Sequence, residues 1–163
     1  MFVRASVWRE IGGLDGDFFA HMEEIDFCWR TKNRGYKVMF CPDAVIYHVG
    51  GGTLPKSSPL KTLLNFRNNL SMLYKNLPNE RLRRVLAVRM VLDWVAAVSF
   101  LFQGKGAEFI AVIKAHSEYR KWKPSLQTKR DAINPHEVSS IYPGHLLVDY
   151  HLRRKKHFSQ LGM

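Results

Sequence analysis

The chain of 163 residues is 46% hydrophobic, which suits one domain with a core and excludes a protein that is disordered throughout. Its formal net charge is +11, and residues 1–59 carry seven basic and seven acidic side chains, so the whole excess lies in residues 60–163. Basic charge alone does not identify a nucleic-acid-binding protein, and no RNA-binding, helix-turn-helix or zinc-finger signature accompanies it. We therefore expect no nucleic-acid partner.

The first predicted element is a turn that leads into a helix. Gly12-Gly13 and Asp15-Gly16 have the composition of tight turns. From Glu23 onward the apolar residues recur with helical spacing. Glu23, Glu24 and Asp26 thus fall in the first helical turn, where the helix dipole favours acidic side chains. The functional alternative is a general base, since an ionised carboxylate can accept the proton of a substrate hydroxyl.

Two short strands are predicted next, at 37–41 and 44–49, with a Pro-Asp turn between them. His48 lies at the end of the second strand, and a glycine-rich loop follows at 50–53. An imidazole beside such a loop is placed to bind a metal or a phosphate, although a single histidine is more often a structural hydrogen-bonding residue. A zinc site formed by Cys28, Cys41, His21 and His48 is conceivable, but it lacks the spacing of structural zinc sites.

Residues 60–163 are predicted to be mostly helical. The stretch 60–77 has helical apolar spacing between two prolines, and 82–102 is the most apolar stretch of the chain. The clean apolar run within it is shorter than the roughly 20 residues that span a bilayer, so we expect an interfacial or buried helix. A third helix is expected at about 107–122 and a loop-rich segment at 124–150. Tryptophan and cations near 120–123 and the basic tail at 153–156 suit an anionic membrane surface.

Five motifs follow one another between Phe2 and about Pro78. They are VRASVWREIGGLD at 3–15, EEIDFCWR at 23–30, GYKV at 35–38, PDAVIYH at 42–48 and GGT at 51–53. In this order they resemble the C-terminal part of the catalytic domain of inverting family 2 glycosyltransferases, most of all bacterial rhamnosyltransferase-like members that build surface polysaccharides. The resemblance implies an α/β fold class. Residues 1–59 would be an incomplete GT-A domain, 60–123 a basic amphipathic helical region and 124–163 a loop-rich basic tail.

The resemblance also implies a reaction and a set of site residues. A sugar would pass from a nucleotide-sugar donor to a glycan or lipid-linked acceptor with inversion, and the cofactor would be a divalent cation, Mg or Mn. Glu24 corresponds to the catalytic base, where the family has Asp, so its carboxylate lies one methylene further out. Asp26 would share that role, Glu23 would organise the loop, and His48 would bind the metal. The substrate-binding positions implied in the same way are Gly13, Asp15, Trp29, Arg30, Gly51 and Arg67. Core packing of Trp29 and a solvated helix face for Arg67 stay open as alternatives.

The donor-binding half of such a domain, with its Asp-x-Asp motif, is not recognisable in the chain. The run Asp15-Gly16-Asp17 has that spacing but is typical of a turn. We therefore expect a fragment of a longer enzyme that self-associates through an exposed sheet edge. Cysteines without CxxC spacing and the lack of a secretory signal favour a cytoplasmic location, peripheral at the inner face of the cell membrane. The alternative is a non-catalytic remnant or accessory module that binds a membrane or a partner protein.

Overall fold

The structure, a computed structural model, describes residues 1–47, 58–139, 141, 142, 144 and 146–162. Within these residues the regular elements are all helical. They are α1 (Ala5–Ile11), α2 (Glu23–Asn33), α3 (Pro59–Asn76), α4 (Asn79–Phe102), α5 (Gly106–Ile133) and α6 (Leu146–His151), with 3-10 turns at Gly16–Phe18 and Phe158–Leu161.

The core lies between the three long helices, and α3 packs most extensively against α5. It contains side chains that recur three, four or seven residues apart on each helix, so each helix presents one apolar side to the others. The rings of Tyr74 and Tyr119 meet edge to face at 6.2 Å between centroids. The buried members of this core are Leu70, Tyr74, Leu86, Tyr119 and Leu126.

The N-terminal helices form a smaller unit against α3. The rings of Trp8 on α1 and Phe27 on α2 lie 5.1 Å apart, and Phe27 is buried. Gly12 and Gly13 end α1 with left-handed backbone angles of φ 80° and 67°. At Gly13 a Cβ atom would lie 2.9 Å from the Trp8 ring, so the backbone approaches that ring as only glycine allows.

The α/β prediction for the fold class is wrong, because the described residues contain no strand and no sheet. Of the strands expected at 37–41 and 44–49, residues 48 and 49 lie outside the described residues. Residues 37–47 have no regular secondary structure, and Phe40 and Tyr47 are almost fully exposed. A strand is stable only when neighbouring strands satisfy its backbone groups, and two short candidates do not make a stable sheet. The expected self-association through a sheet edge loses its basis in the described part of the chain.

The third helix also differs from its prediction. α5 was expected to end near residue 122, before a loop-rich segment, but it continues through Pro124 to Ile133. A proline inside a helix removes one hydrogen bond and costs about 3 kcal/mol in an isolated helix. In this protein the helical turns after Pro124 carry Leu126 and Arg130, and both side chains are buried. Tertiary packing therefore sustains the helix past the residue that was predicted to end it.

Candidate functional site

The carboxylates of the EEID motif lie at the start of α2, as their sequence predicts, but in different surroundings. Glu23 is half-buried, Glu24 is exposed and Asp26 is fully buried. The loop that leads into α2 is strained, because Phe19, His21 and Met22 all have positive φ angles between 61° and 75°. Residues in such conformations persist only where the surrounding structure holds them, and they cluster at functional sites.

Asn68 on α3 holds this loop in place. Its side chain is fully buried, and its amide nitrogen donates to the carbonyl oxygens of Phe18, Ala20 and His21 at 2.8–2.9 Å. These hydrogen bonds fix the strained backbone to α3, the helix that packs most extensively against α5. Because Glu24 is the second residue of α2, directly after this loop, α3 also helps to fix its position.

Asp26 joins α2 to α3 and is enclosed by donors. Its carboxylate accepts from Arg30 Nε at 2.8 Å and from Asn76 Nδ2 at 2.8 Å, and it lies 3.0 Å from Lys75 Nζ. With three donors on a carboxylate that has no exposed surface, neither oxygen is available to a substrate hydroxyl. This geometry argues against the share in catalysis that was predicted for Asp26 and gives it a structural role.

A chain of alternating charges continues from Asp26 to α5. Lys75 contacts Asp15 at 2.5 Å, and Lys129 contacts both Asp15 at 2.6 Å and Asp17 at 2.6 Å. Burial alone would raise the pKa of Asp15, but hydrogen bonds and charges from Lys129 and Lys75 outweigh it and lower that pKa to about 2. Burial likewise opposes the charge of Lys129, and its bonds to Asp15 and Asp17 reverse the effect and raise its pKa.

Three predicted substrate-binding residues are engaged in this packing. Asp15 is bound by lysines, and Arg30 donates to the carbonyl oxygens of Ile11 and Gly13 at 2.7 Å as well as to Asp26. Arg30 therefore closes the turn at the end of α1, and Gly13 serves that turn.

Arg67 and Trp29, the other predicted substrate contacts in the described residues, are also partly or fully enclosed. Arg67 is buried, with its guanidinium 2.8 Å from Glu118 and stacked 3.9 Å from the centre of the Trp122 ring. It therefore does not lie on a solvated helix face, and its contact with a phosphate stays a prediction. Trp29 is half-buried, and its Nε1 has no hydrogen-bond partner in the part of the chain that the structure describes.

The predicted metal ligand cannot be placed. His48 and Gly51 lie outside the described residues, and within the described ranges no three His, Cys, Asp or Glu side chains converge to hold a metal ion. Cys28 is half-buried. Its burial, and to a smaller extent the negative charge of Glu24, raise the pKa of its thiol. Because His48 lies outside the described residues, the implied Mg or Mn site and the alternative zinc site stay predictions.

Sequence analysis missed the residues that build this network. Asn68, Lys75 and Asn76 lie on α3 at positions i, i+7 and i+8, so they share one side of the helix, and all three are buried. Polar residues that recur with the helical period indicate a polar partner on the facing element. That signal was present in the sequence, and it points to the carboxylates of the turn and of α2.

Glu24 is thus the carboxylate of the EEID motif that is exposed to solvent. It follows the loop that Asn68 holds in place. Comparison of the chain with protein-family models, with curated proteins and with solved structures finds no match.

Proposed function

We propose that this chain carries the acceptor-side segment of an inverting family 2 glycosyltransferase and that Glu24 is its catalytic base. The observation that carries the proposal is the contrast within one motif. Asp26 is buried and paired. Glu24, two residues earlier, is exposed in the first turn of α2, directly after the strained loop that Asn68 holds in place. A site that fixes one carboxylate and presents another is suited to proton transfer.

The chemistry assigned to Glu24 is a single displacement. Its carboxylate accepts the proton of the acceptor hydroxyl, the hydroxyl oxygen forms a bond to the anomeric carbon, and the bond from that carbon to the nucleotide diphosphate breaks. Configuration at the carbon inverts because attack and departure are on opposite sides. A divalent cation, when bound, supplies positive charge to the leaving diphosphate, and the role of His48 in holding it stays a prediction.

The length of the Glu24 side chain makes the proposal testable. The family motif has Asp here, and a shift of the base by about 1 Å can change a rate on the order of a hundredfold. Because Glu24 is exposed, it has room to adjust its rotamer to the acceptor. We expect Glu24→Asp to retain transfer to a measurable degree and Glu24→Gln to abolish it.

The test replaces the gene in the source cells with the Glu24→Gln and Glu24→Asp variants and measures surface polysaccharide by sugar composition. Asp43→Asn is the matched control, since it removes the charge of an exposed carboxylate in a turn outside the site. Immunoblotting checks that all variants accumulate equally. Loss of one sugar in the Gln variant alone supports the proposal. Unchanged polysaccharide in the Gln variant removes Glu24 from the mechanism and favours the non-catalytic alternative.

A further inference from the structure

The outward side of α4 is an apolar surface that no described residue covers. Val91, Val95 and Phe102 expose 64%, 62% and 88% of their surface. α4 is the one helix in the described residues that is long and apolar enough to cross a membrane, with a mean hydropathy of 2.0 over its best window, yet only 17% of that window is buried. The helix is thus not the core helix that such composition often indicates. The exposed side consists of Val88, Val91, Leu92, Val95, Val98 and Phe102.

The two charged residues in the middle of α4 pair with each other, and only Arg89 reaches the edge of this apolar side. Asp93 is buried, with its carboxylate 2.7 Å from Arg89 Nε and 3.1 Å from His116 Nε2 on α5. By helical periodicity Asp93 lies on the side opposite Val95, whereas Arg89 lies at the edge of the apolar side and is held by its ion pair with Asp93. Apart from the paired Arg89 at its edge, the apolar side therefore has no charge between Arg84 and Lys105, a distance of about 30 Å along a helix.

Cations lie at both ends of the apolar side. Arg84 is one helical turn before Val88 and is exposed, and the exposed Lys105 follows the end of the helix. Arg84 also borders a groove of about 530 Å³ between α3 and α4, which Arg81 and Arg89 line together with Glu80 and the apolar Leu73. Arg81 is paired with Glu137 and Arg89 with Asp93, so Arg84, for which the described residues supply no ion pair, is the groove's cation best placed to meet a phosphate with attached hydrocarbon.

We propose that α4 lies in the plane of an anionic lipid bilayer, with its apolar side at the boundary of headgroups and acyl chains and with lipid phosphates at Arg84 and Lys105. Apolar residues on one side and cations at its ends are the pattern of interfacial helices. A crossing orientation is disfavoured because α5 packs on α4 and would bring Glu108 and Lys114 into the hydrocarbon. A second copy of the chain is disfavoured because each copy has a net charge of +11.

The inference does not depend on glycosyl transfer, and vesicle binding tests it. The full chain is sedimented with phosphatidylcholine vesicles and with vesicles that also contain phosphatidylglycerol, at low and high salt. We expect binding to the anionic vesicles, weakened by salt. Val95→Asp should weaken it at least about tenfold, because it removes apolar burial and adds a repelled charge. Val45→Asp, the same change at an exposed valine outside α4, is the matched control.

A second pair of variants tests the cations. Arg84→Gln should weaken binding about fivefold, the effect of one cation near an anionic surface. Arg34→Gln, at an exposed arginine at the end of α2, should leave binding unchanged. Absence of binding at low salt overturns the proposal, as does equal loss in Val95→Asp and Val45→Asp. A wild-type dimer that Val95→Asp converts to monomers, without vesicle binding, would assign this surface to a second copy.

Discussion

The buried carboxylate of Asp26 allows the structural and catalytic interpretations of the EEID motif to be separated by stability. Asp26→Asn keeps the shape of the side chain but removes its charge, and it turns an amide group toward Arg30, Lys75 and Asn76, all of which donate. Lys75, with 1% of its side chain exposed, would then keep Asp15 as its described carboxylate partner.

Breaking a buried ion pair by removal of one partner costs about 3–5 kcal/mol. Because Asp15 still compensates part of the charge of Lys75, we expect the lower end, about 3 kcal/mol. Against a total free energy of unfolding of about 5–15 kcal/mol for an ordinary domain, this loss is large. Urea unfolding followed by far-ultraviolet circular dichroism at neutral pH measures it.

Glu24→Gln is the matched control, since it makes the same chemical change two residues earlier at an exposed position. Exposed substitutions of this kind change stability by about 0.5 kcal/mol or less. Adding Lys75→Met to Asp26→Asn should recover part of the loss, because it removes the uncompensated buried cation. Equal stability of the two single variants would refute the assignment of Asp26 to the buried network.

Further predictions concern the loop, the turn and the response to acid. Asn68→Ala should lower the free energy of unfolding by about 1–3 kcal/mol, since it leaves buried carbonyls without donors, whereas Asn69→Ala, with a single long contact to a sulfur, should cost less; urea unfolding of both compares them. Gly13→Ala should cost more than Gly12→Ala, because both have positive φ but only Gly13 has a ring 2.9 Å from the added Cβ; thermal melting shows whether the order is reversed. The pKa of Asp15 is about 2 in the folded protein against an ordinary 3.8, so the unfolded chain binds more protons in acid. Its stabilising contribution is complete above 3.8 and is lost as the pH falls toward 2, and Asp15→Asn should flatten stability against pH in that range.

Helices with strong periodic spacing could be predicted from sequence. α2 and α3 lie where the apolar residues recur with the helical period, and α3 ends before Pro78 as expected. The prediction of strands within 37–47 was wrong because an apolar pattern indicates only a preference for strand. A strand forms only if partner strands exist. The predicted end of α5 was wrong because the packing of Leu126 and Arg130 outweighs the tendency of Pro124 to end a helix.

The candidate site was also predicted only in part. The motif placed Glu23, Glu24 and Asp26 in one helical turn, but it did not indicate which carboxylate is buried. That depends on Lys75 and Asn76, about fifty residues further along the chain. The exposure of α4 was equally hidden, because an apolar stretch has the same sequence whether it packs in a core or faces a membrane.

The measurement that tests the central claim most directly is the initial rate of sugar transfer in membranes from source cells that carry the wild-type or the Glu24→Gln gene. Labelled uridine, guanosine and thymidine diphosphate sugars serve as donors, with endogenous acceptors. We predict that transfer of one labelled sugar falls at least about a hundredfold in the variant, the usual contribution of a general base, at equal protein abundance. Equal rates for every donor would contradict the assignment of Glu24 as the base.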